Sequence, residues 1–237
     1  MGKLWSGYAP VYDRMSRLNP AYQALQDRVR QDLGRIPVPP EGEVADLGAG
    51  TGNFSVIAAE VLPDKPVYAV DPSGDMLDIC QTKRRDLGLQ NLHLSGEGMA
   101  EFLERTQSLS LVLAIHSLYV TASPLQHLCK IFRLLEPEGG LIVCDIGRRL
   151  SLGDWRRYLA AENKSRLSRR ERFSLAWPGL RIAYSNLRIS RAQKIGTFWT
   201  HSNREFRRLL EGIGFEILEC RTAYREYSDY VIAKRPK

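Results

Sequence analysis

The sequence predicts an α/β protein built on a doubly wound, mostly parallel sheet of seven strands. Two observations carry this prediction. Between residues 41 and 147 short apolar stretches alternate with helical patterns, and near the C-terminus two further strand patterns are spaced to pair as an antiparallel hairpin. The predicted strands are, in order, Val44–Leu47, Pro66–Val70, Leu92–Leu94, Leu109–Ile115, Leu141–Asp145, Phe215–Cys220 and Tyr227–Ala233. Because parallel strands need crossover connections, helices are expected between them on both faces of the sheet.

The helical patterns fit this arrangement. One-face spacing of apolar residues predicts a helix around Tyr22–Leu33, which the proline-rich stretch Ile36–Pro40 ends. A capping box, Ser202-Asn203-Arg204-Glu205, opens the last helix. The other predicted helices are Asn53–Leu62, Ser73–Leu87, Pro124–Leu135, Leu152–Asn163 and Arg166–Leu175.

A glycine loop follows the first strand, with Gly48, Gly50 and Gly52 in the spacing G-x-G-x-G. Glycine lets the chain turn sharply and lets a ligand lie against bare backbone, toward which the first N–H groups of the next helix point. The second strand ends in Asp71, and an acid at this point accepts ribose hydroxyls in nucleotide-binding βαβ units. The third glycine comes one place earlier than in the dinucleotide fingerprint, and the Asp46 carboxylate would repel a pyrophosphate. A ligand with an ammonium group and a sulfonium fits better, which predicts S-adenosylmethionine.

Four motifs in this order resemble those of class I S-adenosylmethionine-dependent methyltransferases, over roughly residues 41–147. They are Asp46-Leu47-Gly48-Ala49-Gly50-Thr51-Gly52, Asp71-Pro72-Ser73-Gly74-Asp75-Met76-Leu77, Gly96-Glu97-Gly98 and Leu134-Leu135-Glu136-Pro137-Glu138-Gly139-Gly140-Leu141-Ile142-Val143. The chain departs from the family at the fourth strand, where Ser110 stands in place of a usual aspartate. The resemblance implies a Rossmann-like fold and S-adenosyl-L-methionine as cofactor. The residues that would bind it are Asp46, Gly48, Ala49, Gly50, Gly52, Asn53, Asp71, Pro72, Met76, Glu97, Gly98, Met99, Ala114 and His116.

The resemblance also divides the chain. It implies an N-terminal helical lid at residues 1–40, a cofactor-binding core at 41–148, a helical and aromatic cap insert over the substrate at 149–200, and a C-terminal helix and hairpin at 201–237 that complete the core. Lids of this family often place a tyrosine near the methionine end of the cofactor. Tyr8 and Tyr12 are therefore catalytic candidates, although packing of both rings onto the core explains them equally well.

His116, at the end of the fourth strand, is the main candidate for a base or a substrate anchor because histidine titrates near neutral pH. The alternative is a histidine that only hydrogen-bonds backbone at a strand end. The candidate substrate residues lie at strand ends and among the aromatic residues of the insert, whose packing within the insert is the alternative. They are Tyr119, Asp145, Arg148, Tyr184 and Trp199.

The charge distribution leaves the kind of substrate open. Of the formal net charge of +7, residues Arg148 to Lys194 contribute thirteen Lys or Arg against three acids. Such a block suggests an anionic substrate, an acidic partner or nucleic acid, and a solvated arginine-rich helix surface is the plainer interpretation.

No stretch approaches the roughly 20 apolar residues of a membrane span, and no apolar signal core follows Met1. Four widely spaced cysteines without a C-x-x-C pair predict buried, reduced thiols in a cytoplasmic protein, without disulfide or metal.

These features predict an enzyme that transfers a methyl group in line from S-adenosylmethionine to oxygen, nitrogen or carbon of a small-molecule metabolite, either anionic or aromatic. The motif of amino-directed nucleic-acid methylation is absent, as is the paired-glutamate loop of arginine methylation. Three alternatives stay open. They are chemistry at another sulfonium carbon (cyclisation, lyase or aminopropyl-type transfer), RNA methylation through the basic insert, and a non-catalytic partner protein. A homodimer is not excluded by anything in the sequence.

Overall fold

The computed structural model describes residues 9–166 and 187–237. Within them, one sheet has seven strands in the order β3-β2-β1-β4-β5-β7-β6. The strands are β1 (Glu43–Leu47), β2 (Val67–Val70), β3 (Leu92–Ser95), β4 (Leu109–Ile115), β5 (Leu135–Ile146), β6 (Glu216–Ala223) and β7 (Ser228–Lys234). The first five run parallel, whereas β7 pairs antiparallel with both β5 and β6. The predicted fold class is confirmed, including the antiparallel C-terminal hairpin.

Helices cover both faces of the sheet. They are α1 (Ala9–Leu18), α2 (Pro20–Leu33), α3 (Asn53–Val61), α4 (Gly74–Asp86), α5 (Met99–Arg105), α6 (Pro124–Leu134), α7 (Leu152–Arg166) and α8 (Asn203–Ile213). Residues 187–194 are also helical, and a short 3₁₀ turn, Leu118–Val120, follows β4. The capping box at Ser202 and Glu205 opens α8 as predicted. The helix predicted for Arg166–Leu175 lies beyond the described residues after its first position.

Burial explains why the central strands read as continuous apolar runs. All seven residues of β4 are buried, because helices pack on both of its faces. One face packs against α2 and α3 through residues such as Leu25 and Phe54, and the other packs against α5, α6 and α8 through Phe102, Leu128 and Phe206. The strand order reverses between β1 and β4, and their carboxyl ends therefore open a crevice where ligands bind in sheets of this kind.

Two details differ from the sequence prediction. The fifth strand was predicted to begin at Leu141, after Gly139 and Gly140, but β5 already begins at Leu135 and includes both glycines. A Cβ on Gly140 would lie 2.5 Å from Cδ1 of Ile36, so this glycine permits close packing. The four cysteines are all free thiols, but only Cys80 and Cys144 are buried, so the expectation of burial is wrong for Cys129 and Cys220. No helix in the described ranges is long and apolar enough to cross a membrane.

Candidate active site

A cavity of about 320 Å³ opens at the carboxyl ends of β1, β2 and β4. Its wall also includes residues of α1, α2, α7 and the turn of the C-terminal hairpin. The predicted site residues that line it are Tyr12, Gly48, Gly50, Asp71, Pro72, Met76, Met99, His116 and Tyr119. The predicted site residues outside the wall are Asp46, Ala49, Gly52, Asn53, Glu97, Gly98, Ala114, Asp145, Arg148 and Trp199. Tyr8 and Tyr184 lie outside the described residues.

The three glycines of the loop all have positive φ, at 77° for Gly48, 56° for Gly50 and 75° for Gly52. Two of them permit close packing. A Cβ on Gly48 would lie 2.4 Å from Cβ of Ser117, and one on Gly52 would lie 2.2 Å from Sγ of Cys80. A Cβ on Gly50 would meet nothing within 4 Å, and this glycine lines the cavity. Gly50 is therefore where the backbone lies open to a ligand.

Asp71 is held over the glycine loop by backbone donors. Its Oδ2 accepts a hydrogen bond of 2.9 Å from the Gly50 N–H, and its Oδ1 accepts one of 2.9 Å from the Ser73 N–H. Burial raises the pKa of Asp71, against the opposing effect of these two bonds. A carboxylate oxygen has more than one lone pair, so both oxygens can still accept from a diol in the cavity. The geometry fits the ribose of an adenosine ligand.

Asp46 lies behind the glycine loop. It is 1% exposed, and its Oδ2 accepts a 2.6 Å hydrogen bond from Oγ of Ser55. Burial raises the pKa of Asp46 to about 7, with a smaller contribution from the charge of Asp71. The contact ties β1 to α3 and so fixes the loop between them, while a direct contact of Asp46 with the cofactor stays a prediction.

Glu97, a predicted cofactor residue, is paired with Arg105 in the structure. Both carboxylate oxygens accept from Nε of Arg105, at 3.0 and 2.7 Å, and this guanidinium lowers the pKa of Glu97. Met76 and Met99 line the cavity on this side, and Met76 is 5% exposed. Thioether side chains adapt well to the faces of planar groups, as the prediction for Met76 requires.

His116 lies on the cavity wall, and its role as a base or substrate anchor stays a prediction. It has φ of 53°, and its N–H donates to the Cys144 carbonyl at 2.6 Å. Its Nε2 lies 2.8 Å from Oγ of Ser228, and its ring lies 4.7 Å from that of Tyr224 on the cavity wall. Burial lowers the pKa of His116 to about 4. The imidazole is therefore neutral near pH 7, where it can orient a ligand by hydrogen bonding but is a weak base.

The low pKa of His116 predicts a pH effect on stability. The unfolded chain takes up the proton near the ordinary pKa of about 6.5, so the folded state loses stability as the pH falls from 6.5 toward 4. We expect His116→Asn, which tolerates the positive φ, to reduce this acid loss by on the order of 1 kcal/mol, or roughly 2–4 °C in melting temperature. Thermal melts of both proteins between pH 4.5 and 8 measure it. The same substitution at His93, which is exposed, is the control, and an unchanged pH dependence in His116→Asn would contradict the account.

The N-terminal helices reach the cavity, and their action as a lid over the ligand stays a prediction. Tyr12, Ser16, Asn19 and Tyr22 all line it. Tyr12 OH donates to Tyr22 OH at 3.4 Å, and the Tyr22 ring packs 5.6 Å from that of Phe54. Burial raises the pKa of the Tyr22 hydroxyl, which therefore stays protonated.

A partly buried lysine, Lys83, links the N-terminal helices to the core. Nζ of Lys83 on α4 contacts Oδ1 of Asp13 on α1, donates to the Thr51 carbonyl at 2.9 Å, and donates to Oδ1 of Asn53 at 2.6 Å. The side chains of Lys83 and Asp13 are only 16% and 9% exposed. The Lys83 ammonium group therefore links α1, the glycine loop and the start of α3. Asn53, a predicted cofactor ligand, accepts a hydrogen bond from this lysine.

We expect Lys83→Met to loosen the lid. In this variant Asp13 keeps its ion pair with Arg17, at 2.8 Å. Removing one member of a buried ion pair costs several kcal/mol of stability, and the contact with Arg17 offsets part of that cost. Hydrogen exchange of residues 9–33 should rise at least several-fold, and S-adenosylhomocysteine should bind more weakly because α1 forms part of the wall. Lys130→Met, at a more exposed lysine 3.6 Å from Glu104, is the control. Unchanged exchange in the lid would contradict this role of Lys83.

The hairpin turn, residues 224–227, contains the main site residue that the sequence analysis missed. Tyr224, Arg225 and Glu226 have φ of 50°, 58° and 64°, and Tyr224 lines the cavity. Asn19 Nδ2 donates to the Tyr224 hydroxyl at 3.0 Å. Successive left-handed residues without glycine have no sequence signal, since this region favours glycine and asparagine. The other wall residues that were not predicted are Ser16, Asn19, Tyr22, Val70, Ser73, Ser117, Val120, Thr121, Ile146, Leu150, Trp155, Leu159 and Ile189.

Three of the substrate candidates lie in the packing around the cavity. Arg148 binds both oxygens of Asp229 through Nη1, at 2.7 and 2.6 Å, and the His201 Nδ1 lies 3.0 Å from the same carboxylate. The Trp199 ring packs 4.4 Å from that of His201. Asp145 is fully buried, and burial raises its pKa well above the ordinary value. Successive strand residues point to opposite faces, so its neighbour Ile146 reaches the cavity in its place.

Comparisons with known proteins agree with this site. Residues 40–194 match the family model described as a methyltransferase domain. The chain is 50% identical over 48 residues to trans-aconitate 2-methyltransferase of Rhodopseudomonas palustris, covering 20% of this chain and 19% of that one. It is 31% identical over 117 residues to release factor glutamine methyltransferase of Rhodopirellula baltica, covering 49% of this chain and 39% of the relative. The chain thus matches less than half the length of these curated relatives.

A solved structure extends the likeness of fold over the whole chain. Magnesium protoporphyrin IX methyltransferase from Synechocystis PCC 6803, with bound SAH, superposes with a TM-score of 0.62. The match covers 99% of this chain and 97% of that one at 17% identity. The family match spans more than half of the chain and includes the glycine loop, Asp71 and the end of β4. The chain therefore belongs to the methyltransferase domain family, and its fold is that of class I S-adenosylmethionine-dependent methyltransferases.

Proposed function

We propose that this protein methylates a small molecule that binds in the cavity beside the cofactor. The cavity itself is the observation that carries the proposal. Its volume of about 320 Å³ lies at the lower end of the range of pockets for small ligands. It continues from the glycine loop to an aromatic region between α2, α7 and the hairpin turn. A polymer would need an open groove at this point.

Each end of the cavity has its own task. Asp71 and the backbone at Gly50 would hold the adenosine part of S-adenosylmethionine, which supplies an electrophilic methyl group when bound. The chain's own contribution is then orientation and exclusion of water. Tyr12 and Tyr22 exclude solvent from the lid side, and Trp155 does so from the cap side. His116, neutral at pH 7, would orient the acceptor. The four free thiols support a reducing, cytoplasmic setting.

The test uses methyl-labelled S-adenosylmethionine and a cell extract separated into small molecules, RNA and protein. The expected result is label in the small-molecule fraction only, with equimolar formation of S-adenosylhomocysteine, and none with Asp71→Ala. Label in RNA or protein would contradict the small-molecule acceptor. Consumption of S-adenosylmethionine without any acceptor would instead indicate cyclisation or another cleavage at the sulfonium.

A further inference from the structure

The half of the cavity away from Asp71 has almost no charge. We call it the acceptor half, with Tyr22, His116, Tyr119, Ile146, Leu150, Trp155, Leu159, Ile189 and Tyr224 as its residues. Among the described residues that line the whole cavity, Asp71 is the one carboxylate, and Lys, Arg and Glu do not occur. His116 is neutral at pH 7 because burial lowers its pKa to about 4. A charged acceptor would lose its hydration there without gaining a counter-ion from any protein residue that the structure describes, which is costly.

The acceptor half is instead lined by ring faces and edges around Tyr224. The Tyr224 ring lies 4.7 Å from His116, 4.8 Å from Trp155 and 6.5 Å from Tyr22. The Tyr119 ring, 4% exposed, meets Phe198 edge-on at 5.4 Å. Aromatic surfaces arranged at such angles favour a flat π ligand by offset stacking and edge contacts.

Two buried donors on the cavity wall have no hydrogen-bond partner among the described residues. They are Oγ of Ser117 and Nε1 of Trp155, whose residues are 6% and 7% exposed. An unpaired buried donor costs free energy, and buried polar groups in native proteins are almost always satisfied. Both groups are neutral, so neither requires a charged ligand.

The hairpin turn that positions Tyr224 has an energetically unfavourable backbone conformation. Left-handed backbone at three successive non-glycine residues is unfavourable and persists only where surrounding contacts fix it. Those contacts exist: Arg225 pairs with Asp154 of α7 at 2.8 Å, and Tyr227 OH donates to the same carboxylate at 3.0 Å. Arg225 also stacks over Tyr158 at 4.1 Å. The cation of Arg225 is therefore matched by Asp154, and Arg225 is not among the residues that line the cavity.

From these observations we infer that the acceptor is an uncharged, planar aromatic molecule, and that Tyr224 is the residue that selects it. This inference rests on the proposed function, since it assigns the chemical class of the acceptor in the same cavity. It favours an aromatic acceptor over an anionic one, a choice that the sequence analysis left open.

The experiment compares three para-substituted phenols of similar size on the complex with S-adenosylhomocysteine at pH 7.5. They are 4-ethylphenol, which is neutral, 4-hydroxyphenylacetate, which is anionic, and tyramine, which is cationic. Calorimetry or saturation-transfer NMR should give at least tenfold tighter binding of 4-ethylphenol than of either charged probe. Tighter binding of a charged probe, or no binding of any of the three, would overturn the inference.

Two variants assign the selection to the Tyr224 ring. Tyr224→Phe removes the hydroxyl that bonds Asn19 and keeps the ring, so 4-ethylphenol should bind within about threefold of the unaltered protein. Tyr224→Leu removes the ring as well, and we expect binding to weaken about tenfold. Affinity for S-adenosylhomocysteine should stay within twofold in both variants, which reports a folded cofactor site. Equal affinities of the two variants for 4-ethylphenol would show that the Tyr224 ring does not select the acceptor. Absence of S-adenosylhomocysteine binding in the unaltered protein would instead overturn the proposed function itself.

Discussion

Asp71→Ala should weaken the binding of S-adenosylhomocysteine by about 100-fold. The Asp71 carboxylate is fixed by the Gly50 and Ser73 N–H groups and lines the cavity where a ribose fits. Hydrogen bonds to a charged group contribute roughly 1.5–3 kcal/mol each, so the loss of two ribose contacts accounts for this factor. The variant also leaves the Gly50 N–H without its acceptor, which loosens the loop. Titration calorimetry on the purified variant measures the change.

Asp78→Ala is the matched control for that experiment. It removes the same charge from α4, but Asp78 is exposed and lies outside the cavity wall. Its affinity for S-adenosylhomocysteine should equal that of the unaltered protein. A loss of less than threefold in Asp71→Ala would show that this carboxylate does not hold the ligand.

Substitutions in the glycine loop should have the second large effect. Alanine should be unfavourable at both Gly52 and Gly50, but for different physical reasons. Gly52→Ala places a Cβ 2.2 Å from Sγ of Cys80, in addition to the cost of positive φ. Overpacking of this kind costs about 1–3 kcal/mol and the left-handed backbone about 1–2 kcal/mol more. Denaturant unfolding should show that loss of stability.

Gly50→Ala should lose only about 1–2 kcal/mol of stability, the backbone cost alone, because its Cβ meets no protein atom within 4 Å. That Cβ enters the cavity, however, so affinity for S-adenosylhomocysteine should fall at least tenfold while the protein stays folded. Normal ligand affinity in Gly50→Ala would mean that the ligand does not lie against this backbone.

The order of strands and helices was predictable because each depends on local apolar patterns. The strand Leu109–Ile115 and the capping box at Ser202 are read directly from the sequence, and the structure places them there. Gly50 and Asp71 were predictable for a different reason, since their spacing from a strand end fixes where they lie. Among the predicted cofactor contacts, they are the two that the geometry supports best.

The acceptor side was much less predictable. Tyr224 reaches the cavity through a turn of three left-handed residues that contains no glycine, and Trp155 does so through packing of α7 against that turn. Arg148 was assigned to the substrate because it is a cation after a strand end, yet the buried Asp229 binds it. Such outcomes depend on contacts between residues far apart in the sequence, 69 positions for Trp155 and Tyr224 and 81 for Arg148 and Asp229, which local patterns do not encode.

The most direct test of the central claim is calorimetric titration of the unaltered full chain with S-adenosylmethionine and with S-adenosylhomocysteine. We predict saturable binding of one equivalent of each, with competition between them. No heat with either molecule, together with binding of a nicotinamide dinucleotide, would contradict the assignment of the glycine loop and Asp71 to a sulfonium nucleoside.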